Sequence, residues 1–260
     1  MNRFLAFGFG VVSYAVFFAS FLYLVGFLGN VAVPKSIDAG DATALGGALL
    51  VDTALLLLFG VQHSVMARPR FKAWWTRIVP HAIERSTYVL ASSAVLVATY
   101  AFWQPIAAPV WSVANPIGAS VLTGLFFAGV GLVLYSTFLI DHFDLFGLRQ
   151  VVLYFRNREY RDRHFKLPLL YRLIRHPLYV GWIITFWATP VMSAGHFLFA
   201  LVMTGYILVA IPLEERDLAN LHGEPYRRWR DRTPAFVPRF GVRNPSPDNN
   251  GAPPIAAEAN

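Results

Sequence analysis

Charged residues and cysteines are both scarce in this sequence. Asp, Glu, Lys and Arg make up 14% of the 260 residues, whereas about 25% is usual for a soluble globular chain. The chain has no cysteine, which excludes disulfides, a thiolate nucleophile and a cysteine-based metal site. Hydrophobic residues make up 56% of the chain. This composition predicts a membrane protein rather than a soluble domain with a large core.

The apolar residues are gathered in long runs. Four runs, each near the roughly 20 residues that cross a bilayer, predict membrane-spanning helices. A fifth apolar region, 177–212, is interrupted near Pro190 and Gly195, and its first arm is short for a full crossing. We therefore predict an all-α polytopic membrane helix bundle with four spanning helices and a C-terminal helical hairpin that enters and leaves from one side. The four runs are 5–28, 44–67, 84–104 and 117–140.

The basic residues fall almost entirely on one side of this predicted bundle. The net charge is +7, and if Arg3 is cytoplasmic, every other Lys and Arg except Lys35 is cytoplasmic too. Cytoplasmic loops of membrane proteins are enriched in these residues. The pattern predicts a multi-pass membrane protein with both termini in the cytoplasm. It explains the positive charge by the lipid bilayer and not by a nucleic acid.

The motifs and composition divide the chain into three parts. Residues 1–140 are predicted to form an N-terminal transmembrane bundle, and 141–243, which include the hairpin, are predicted to form a cytoplasm-facing region that carries most of the candidate site residues. Residues 244–260 are rich in Pro, Asn and Ala without apolar periodicity, which predicts a disordered tail. No obligate protein partner is evident from the sequence.

Polar residues inside apolar runs are costly in a membrane and therefore mark candidate sites. Asp52 lies within the second run, and Gln62 and His63 lie near its cytoplasmic end. Pairing with a neighbouring helix explains Asp52 equally well. His63 is the better functional candidate because it lies close to the basic face.

A second group of candidates directly follows the fourth run. Segment 141–150 brings His142, Asp144 and Arg149 to the membrane surface. An ordinary polar helix end would also explain it, but the density of titratable groups favours a site. A carboxylate beside a histidine can orient it as a general base, so Asp141 or Asp144 could serve His142 in this way.

Segment 175–181, before the hairpin, is suited to an anion. Pro177 favours the first position of a helix, and a helix N-terminus attracts negative charge. Arg175 adds a full positive charge at that position. Gly181 would let a ligand or a neighbouring backbone come close.

A further group of candidates follows the hairpin. The adjacent carboxylates of Glu214 and Glu215 could accept hydrogen bonds from ribose hydroxyls or an amino group. Tyr226 and Trp229 could stack on a purine ring, although both residue types are also common at membrane interfaces. Because a hairpin returns to the side that it left, this group and segment 175–181 are predicted to lie close together.

The segments on both sides of the hairpin resemble the isoprenylcysteine carboxyl methyltransferase and phospholipid methyltransferase superfamily. The resemblance covers about 170–240 and depends on the order Arg175-His176-Pro177-Leu178-Tyr179-x-Gly181, an apolar hairpin, Glu214-Glu215 and Gly223-x-x-Tyr226. In that superfamily the region binds S-adenosylmethionine from the cytosol. The resemblance thus implies S-adenosylmethionine as cofactor and no metal. The implied cofactor-binding residues are Arg175, His176, Tyr179, Gly181, Glu214, Glu215, Tyr226 and Trp229.

The N-terminal half is similar to the bacterial membrane methanethiol S-methyltransferases, which convert methanethiol to dimethyl sulfide. The similarity is carried by Gln62-His63-Ser64, by Glu84-Arg85 with Tyr88, and by segment 142–150. It implies a small thiol substrate and a direct displacement at the methyl group.

Such a reaction requires a thiolate, because the thiol itself is a poor nucleophile. His142 or His63 could take the thiol proton, and Arg149 could instead stabilise the thiolate. Phe143, Phe146 and Trp182 could wall a small apolar pocket.

Two other classes of function stay open at this point. A phospholipid amine or a lipidated cysteine carboxylate could be the acceptor, which would need a lateral opening between helices. A transporter or non-catalytic membrane component is the second alternative, although transporters more often carry broken helices in both halves. The seven histidines are scattered without an i, i+4 pair, which disfavours a haem or metal protein.

Overall fold

The computed structural model describes residues 1–40, 44–161 and 167–238, and these ranges are mostly helical. The predicted all-α class is therefore confirmed. The predicted tail, 244–260, lies outside the described residues. The helices are α1 (Arg3–Gly29), α2 (Leu45–Ala67), α3 (Pro69–Trp75), α4 (His81–Phe102), α5 (Pro116–Ile140), α6 (His142–Leu145), α7 (Leu148–Phe155), α8 (Pro177–Trp187), α9 (Ala194–His222) and α10 (Glu224–Arg232). The remaining elements are two short strands, β1 (Pro109–Ser112) and β2 (Val191–Ser193), and a 3-10 turn (Leu169–Arg172).

Side-chain caps define where three of the long helices begin. Asn2, Asn115 and Ser193 stand just before α1, α5 and α9, and each side-chain oxygen accepts a hydrogen bond from a backbone N–H of the first turn. These caps satisfy donors that have no partner inside the helix. Pro116 opens α5, where its missing N–H costs little.

Among the described residues, four helices are long and apolar enough to cross a membrane, namely α1, α2, α5 and α9. The chain is therefore a multi-pass membrane protein. Helices α1, α2 and α5 correspond to three of the predicted spans.

The fourth predicted span, 84–104, corresponds to α4, which is less apolar than those four helices. Its buried side chains include Ser86, Ser92 and Ser93, so part of its polarity is hidden inside the bundle. The 22 residues of α4 cover roughly 33 Å at about 1.5 Å per residue. Helix α4 packs between α1 and α2 along the bundle and has the length to cross with them.

The fifth apolar region folds as the predicted hairpin, with unequal arms. Helix α8 has 11 residues and α9 has 29. Strand β2 lies between α8 and α9 and pairs antiparallel with β1, which lies in the connection from α4 to α5. The tip of the hairpin therefore lies at the end of the bundle where α4 ends and α5 begins. Helix α9 continues through Pro212 to His222. Glu214 and Glu215 therefore belong to the second arm itself and not to a segment after it.

Basic side chains tie the connections together at one end of the bundle. Arg3 donates to Asn157 at 2.6 Å. Arg68 donates to Asp217 at 2.8 Å, and Arg85 donates to a backbone carbonyl of α6 at 2.8 Å. We call this end of the molecule the basic end. It joins the start of α1, the loop after α2, and helices α6 and α9.

Helices α5 and α8 pack with their backbones unusually close. A Cβ atom on Gly129 would lie 2.6 Å from Thr185 Oγ1 and 2.8 Å from the Gly181 carbonyl oxygen. Small residues permit this approach between helices in a membrane. Of the two roles predicted for Gly181, the structure therefore supports contact with a neighbouring backbone. Its assignment to cofactor binding is corrected, because its Cα faces α5.

Replacing Gly129 by alanine is expected to destabilise the bundle. The added methyl group would overlap Thr185 and the backbone of α8, and such overpacking costs about 1–3 kcal/mol. The melting temperature in detergent should fall by several degrees. Gly131→Ala, two residues along the same helix, is the matched control because its Cβ would meet no atom within 4 Å. Equal melting temperatures for the two variants would contradict the close packing.

Candidate active site

A large cavity opens at the basic end between the helices. Its volume is about 3010 Å³, whereas pockets for one small molecule usually measure about 300–1,000 Å³. The space is sufficient for a nucleoside-sized cofactor and a second, small substrate. The wall includes His63, His142 and Asp144 together with most of the predicted cofactor group: Arg175, His176, Tyr179, Glu214, Tyr226 and Trp229.

Glu215 joins the two segments that flank the hairpin. Its Oε1 accepts a hydrogen bond from Arg175 Nε at 2.7 Å and lies 2.9 Å from His176 Nε2. All three side chains are largely buried. The predicted proximity of these segments is thus found in the structure. The Glu215 carboxylate itself is directed at Arg175 and His176, so it positions them.

Glu214 presents its carboxylate to the cavity. Its Oε2 accepts a hydrogen bond from the Tyr179 hydroxyl at 2.6 Å, and both residues line the cavity. Within the Glu-Glu pair, Glu214 is therefore the carboxylate that is placed to meet a ligand. Adjacent residues on an α-helix point about 100° apart. Because the sequence did not predict that α9 continues through this pair, it could not show which of the two carboxylates faces the cavity.

Tyr226 and Trp229 form an aromatic corner on α10. Their ring centroids are 5.3 Å apart, and Trp229 Nε1 donates to the Tyr171 carbonyl oxygen at 2.9 Å. Tyr226 is 1% exposed, and burial raises its pKa above the ordinary value, so its hydroxyl stays neutral. Both residues line the cavity, where an aromatic face can receive a flat ring.

Residues 233–236 pack against the start of α8, and no sequence motif marks them. The backbone N–H groups of Arg175 and His176 donate to the carbonyl oxygens of Pro234 and Ala235 at 2.9 and 3.1 Å. The Arg175 guanidinium also donates to the Arg230 carbonyl oxygen at 2.9 Å, at the end of α10. Arg175 therefore donates hydrogen bonds to protein groups and also lines the cavity.

His142 is fixed between α1 and α5. Its Nε2 lies 2.9 Å from the Tyr14 hydroxyl and its Nδ1 lies 2.9 Å from Thr137 Oγ1. The Phe138 ring stacks on the imidazole at 4.3 Å. Burial lowers the pKa of His142, with Asp141 acting in the opposite direction, so the ring is neutral near pH 7.

Asp144 and Arg149 pair with each other beside this histidine. Arg149 Nη1 donates to Asp144 Oδ1 at 2.9 Å, and the Tyr160 hydroxyl donates to Asp144 Oδ2 at 3.2 Å. The Asp144 carboxylate is directed at these groups, so the prediction that it orients His142 is wrong. Two hydroxyl groups, from Tyr14 and Thr137, take that position instead. Neither hydroxyl stands in a motif that the sequence could reveal.

His63 lies on α2 and contacts α4 across the cavity wall. The Tyr88 hydroxyl is 2.9 Å from its Nε2, and Ser92 Oγ is 3.3 Å from its Nδ1. Phe59 stacks on the ring with centroids 5.2 Å apart. His63, Tyr88 and Ser92 all line the cavity. The position predicted for His63 near the basic end is the one observed.

The chain has close relatives of stated activity. It is 50% identical over 236 residues to the methanethiol S-methyltransferase of Crocosphaera subtropica, covering 91% of this chain and 92% of that protein. It is 50% identical over 249 residues to methanethiol S-methyltransferase 2 of Bradyrhizobium diazoefficiens, covering 96% of both chains. Nurim of Sus scrofa is more distant, at 30% identity over 241 residues, with 86% and 89% covered. No family model matches the chain, and no solved structure matches it significantly.

The arrangement around Glu215 predicts a loss of stability when its charge is removed. Glu215→Gln should lower the free energy of unfolding by about 1–3 kcal/mol, because Arg175 then lacks a charged acceptor. The measurement is the melting temperature of the protein without ligand. Glu224→Gln is the matched control, since the pair of Glu224 with Arg228 is 57% and 68% exposed and contributes about 1 kcal/mol or less. Equal shifts in the two variants would argue against a structural role for Glu215.

Proposed function

Because the chain belongs to the methanethiol S-methyltransferase family, we propose that it methylates methanethiol to dimethyl sulfide with S-adenosylmethionine as methyl donor. The observation that carries the proposal is one cavity with two unlike parts. The carboxylate of Glu214 and the rings of Tyr226 and Trp229 lie in one part, and histidines with large apolar side chains lie in the other.

The first part suits the groups of S-adenosylmethionine. Glu214 can accept hydrogen bonds from ribose hydroxyls or an ammonium group, and Tyr226 and Trp229 can stack on adenine. Arg175, His176 and Tyr179 complete this wall, with Glu215 holding the first two in place. When bound, S-adenosylmethionine supplies a methyl group on a sulfonium. A thiolate takes that group by direct displacement, while the electron pair of the broken bond stays with the sulfonium sulfur.

The second part suits a small apolar acceptor. Phe143 and Phe146 contribute apolar surface to the cavity wall beside His142. Trp182 contributes apolar surface to the wall next to Phe21. Such a pocket orients a small thiol by shape, and orientation is the main requirement of a displacement between two bound molecules. His142 and His63 are the candidate bases, while the Asp144–Arg149 pair shapes the wall next to His142.

A lipid-linked acceptor is the second candidate, and one observation favours it. Phe138 and Phe143 line the cavity although they are 57% and 51% exposed. The cavity therefore reaches the outer surface of the bundle, where a lipid amine or an isoprenylcysteine carboxylate could enter.

We further propose that the basic end faces the cytoplasm and that the bundle lies in the bacterial inner membrane. The concentration of Lys and Arg at that end supports this orientation. The proposed catalytic region, 141–243, then faces the cytosolic cofactor, and the bundle of residues 1–140 contributes His63 to the same cavity.

Purified protein in detergent, supplied with S-adenosylmethionine and methanethiol, is expected to release dimethyl sulfide, measured in the headspace. Glu214→Gln should weaken S-adenosylmethionine binding by about 10-fold or more in calorimetry, since a hydrogen bond to a charged group contributes about 1.5–3 kcal/mol. Glu224→Gln, an exposed glutamate on α10, should bind normally. Binding without product would direct the search to lipid acceptors, and absence of both would refute the methyltransferase proposal.

The absence of cysteine makes the orientation testable with single introduced thiols. Ala107→Cys lies in the exposed connection between α4 and α5, and Asn220→Cys lies at the exposed end of α9. A membrane-impermeant maleimide should label Ala107→Cys on intact spheroplasts and Asn220→Cys only after the membrane is opened. The reverse result would invert the proposed topology.

A further inference from the structure

Two histidines of the cavity wall have the same set of partners. His63 contacts a tyrosine hydroxyl and a serine hydroxyl, and His142 contacts a tyrosine hydroxyl and a threonine hydroxyl. If the proposed methylation holds, one of them takes the thiol proton. The positions of the hydroxyl hydrogens and the direction of each tyrosine distinguish the two.

The hydrogen positions at His63 follow from the donors around it. Ser92 Oγ donates its only hydrogen to the Tyr88 carbonyl oxygen at 3.0 Å. Towards His63 Nδ1 it can therefore only accept, so Nδ1 carries the ring hydrogen. Nε2 is left with its lone pair. The Tyr88 hydroxyl lies 2.9 Å from Nε2 and 3.1 Å from Nδ1, so it donates to Nε2, the nearer nitrogen and the one without a hydrogen.

The same count applies to His142. Thr137 Oγ1 donates to the Leu134 carbonyl oxygen at 2.7 Å, so it accepts from His142 Nδ1–H. The Tyr14 hydroxyl then donates to Nε2. Both imidazoles therefore have a lone pair that is already bound to a tyrosine hydroxyl, and a thiol can reach either histidine only through that tyrosine.

The two tyrosines differ in what they face. Tyr88 lines the cavity and is 7% exposed. Among the described residues that line the cavity, Tyr14 is absent. The Tyr14 ring instead stacks on Phe18, which is 39% exposed on the outer side of α1. A thiol in the cavity can reach the Tyr88 hydroxyl, whereas the Tyr14 hydroxyl binds His142 from outside.

We propose that Tyr88 is the catalytic residue that accepts the thiol proton and that His63 is the base behind it. The Tyr14–His142 pair instead fastens α1 to α5 and α6. This assignment depends on the proposed function, since it names the proton acceptor of that reaction. It also assigns a role to Tyr88 that neither its sequence position nor its relatives' names supply.

The proton step balances within the two side chains. The S–H bond breaks and its electron pair stays on sulfur as a thiolate. The proton joins Tyr88 Oη while the former Tyr88 hydrogen moves to His63 Nε2. Tyr88 is neutral before and after, and His63 becomes an imidazolium. Since His63 lines the open cavity, it returns this proton to water after the methyl group has been transferred.

The surrounding charges favour the anion that this step creates. The Arg85 guanidinium lies 5.1 Å above the Tyr88 ring, and Arg85 and Arg68 both interact electrostatically with His63. These cations stabilise a thiolate nearby and disfavour a lasting positive charge on His63, so His63 holds the proton only until the methyl group has been transferred. Tyr88 also interacts with Tyr206 and with Glu214 of the cofactor side, which places the relay beside both parts of the cavity.

The test compares Tyr88→Phe with Tyr100→Phe, because each variant removes one buried tyrosine hydroxyl of α4 and, of the two, Tyr88 lines the cavity. Tyr88→Phe should lower kcat by about 100-fold, the usual effect of losing a general base, while S-adenosylmethionine binding in calorimetry is kept. Its remaining rate should rise about tenfold per pH unit below the thiol pKa, since only thiolate formed in solution reacts. Tyr100→Phe should keep kcat within about threefold and the pH profile of the unsubstituted protein, with a lower melting temperature, because its hydroxyl donates to the Ser20 carbonyl oxygen.

Three results would overturn the assignment. These are a kcat of Tyr88→Phe within about threefold of the unsubstituted protein, an unchanged pH profile, or the same loss in Tyr100→Phe. If Tyr88→Phe fails to bind S-adenosylmethionine, His63→Gln is judged by the same kcat and pH criteria. The proposed function is read separately, from whether the unsubstituted protein makes dimethyl sulfide.

Discussion

The contacts of the Glu215 carboxylate with Arg175 and His176 hold the basic end of this bundle together. Glu215, late in α9, binds Arg175 and His176 at the entrance to α8, so both ends of the membrane hairpin meet on one charge. Arg175 then extends the connection to the end of α10. Removing one member of such a buried group leaves the other members without a partner. The positions of Glu214, Tyr179 and the aromatic corner therefore depend on the contacts of Glu215.

Much of this arrangement could be predicted from the sequence because the determining signals are local. Long apolar runs and flanking basic residues were sufficient for α1, α2 and α5 and for the hairpin. The closeness of segment 175–181 to Glu214 and Glu215 followed from the return of a hairpin to its starting side. Helix α4 was also found, although its buried serines make it less apolar than the other spans.

The predictions that were wrong concern details that depend on tertiary contacts. Asp144 is two residues from His142 in the chain, yet its carboxylate pairs with Arg149. The imidazole is held instead by the hydroxyls of Tyr14 on α1 and of Thr137 at the end of α5. Gly181 had a motif position that suggested a ligand, but its neighbour is the backbone of α5. The different roles of Glu214 and Glu215 could be predicted only if α9 was known to continue past Pro212 as one helix. None of these follows from periodicity or composition.

The proline within α9 has a mechanical consequence. A proline lacks the N–H that would bond the carbonyl four residues earlier, so the helix resists bending less at that point than elsewhere. Pro212 stands two residues before Glu214. It therefore separates the membrane-embedded part of α9 from a short C-terminal part that carries both carboxylates. Because Glu215 in this part of the helix is bonded to Arg175 and His176 at the start of α8, bending at Pro212 moves Glu214 relative to the cavity only as far as that contact allows.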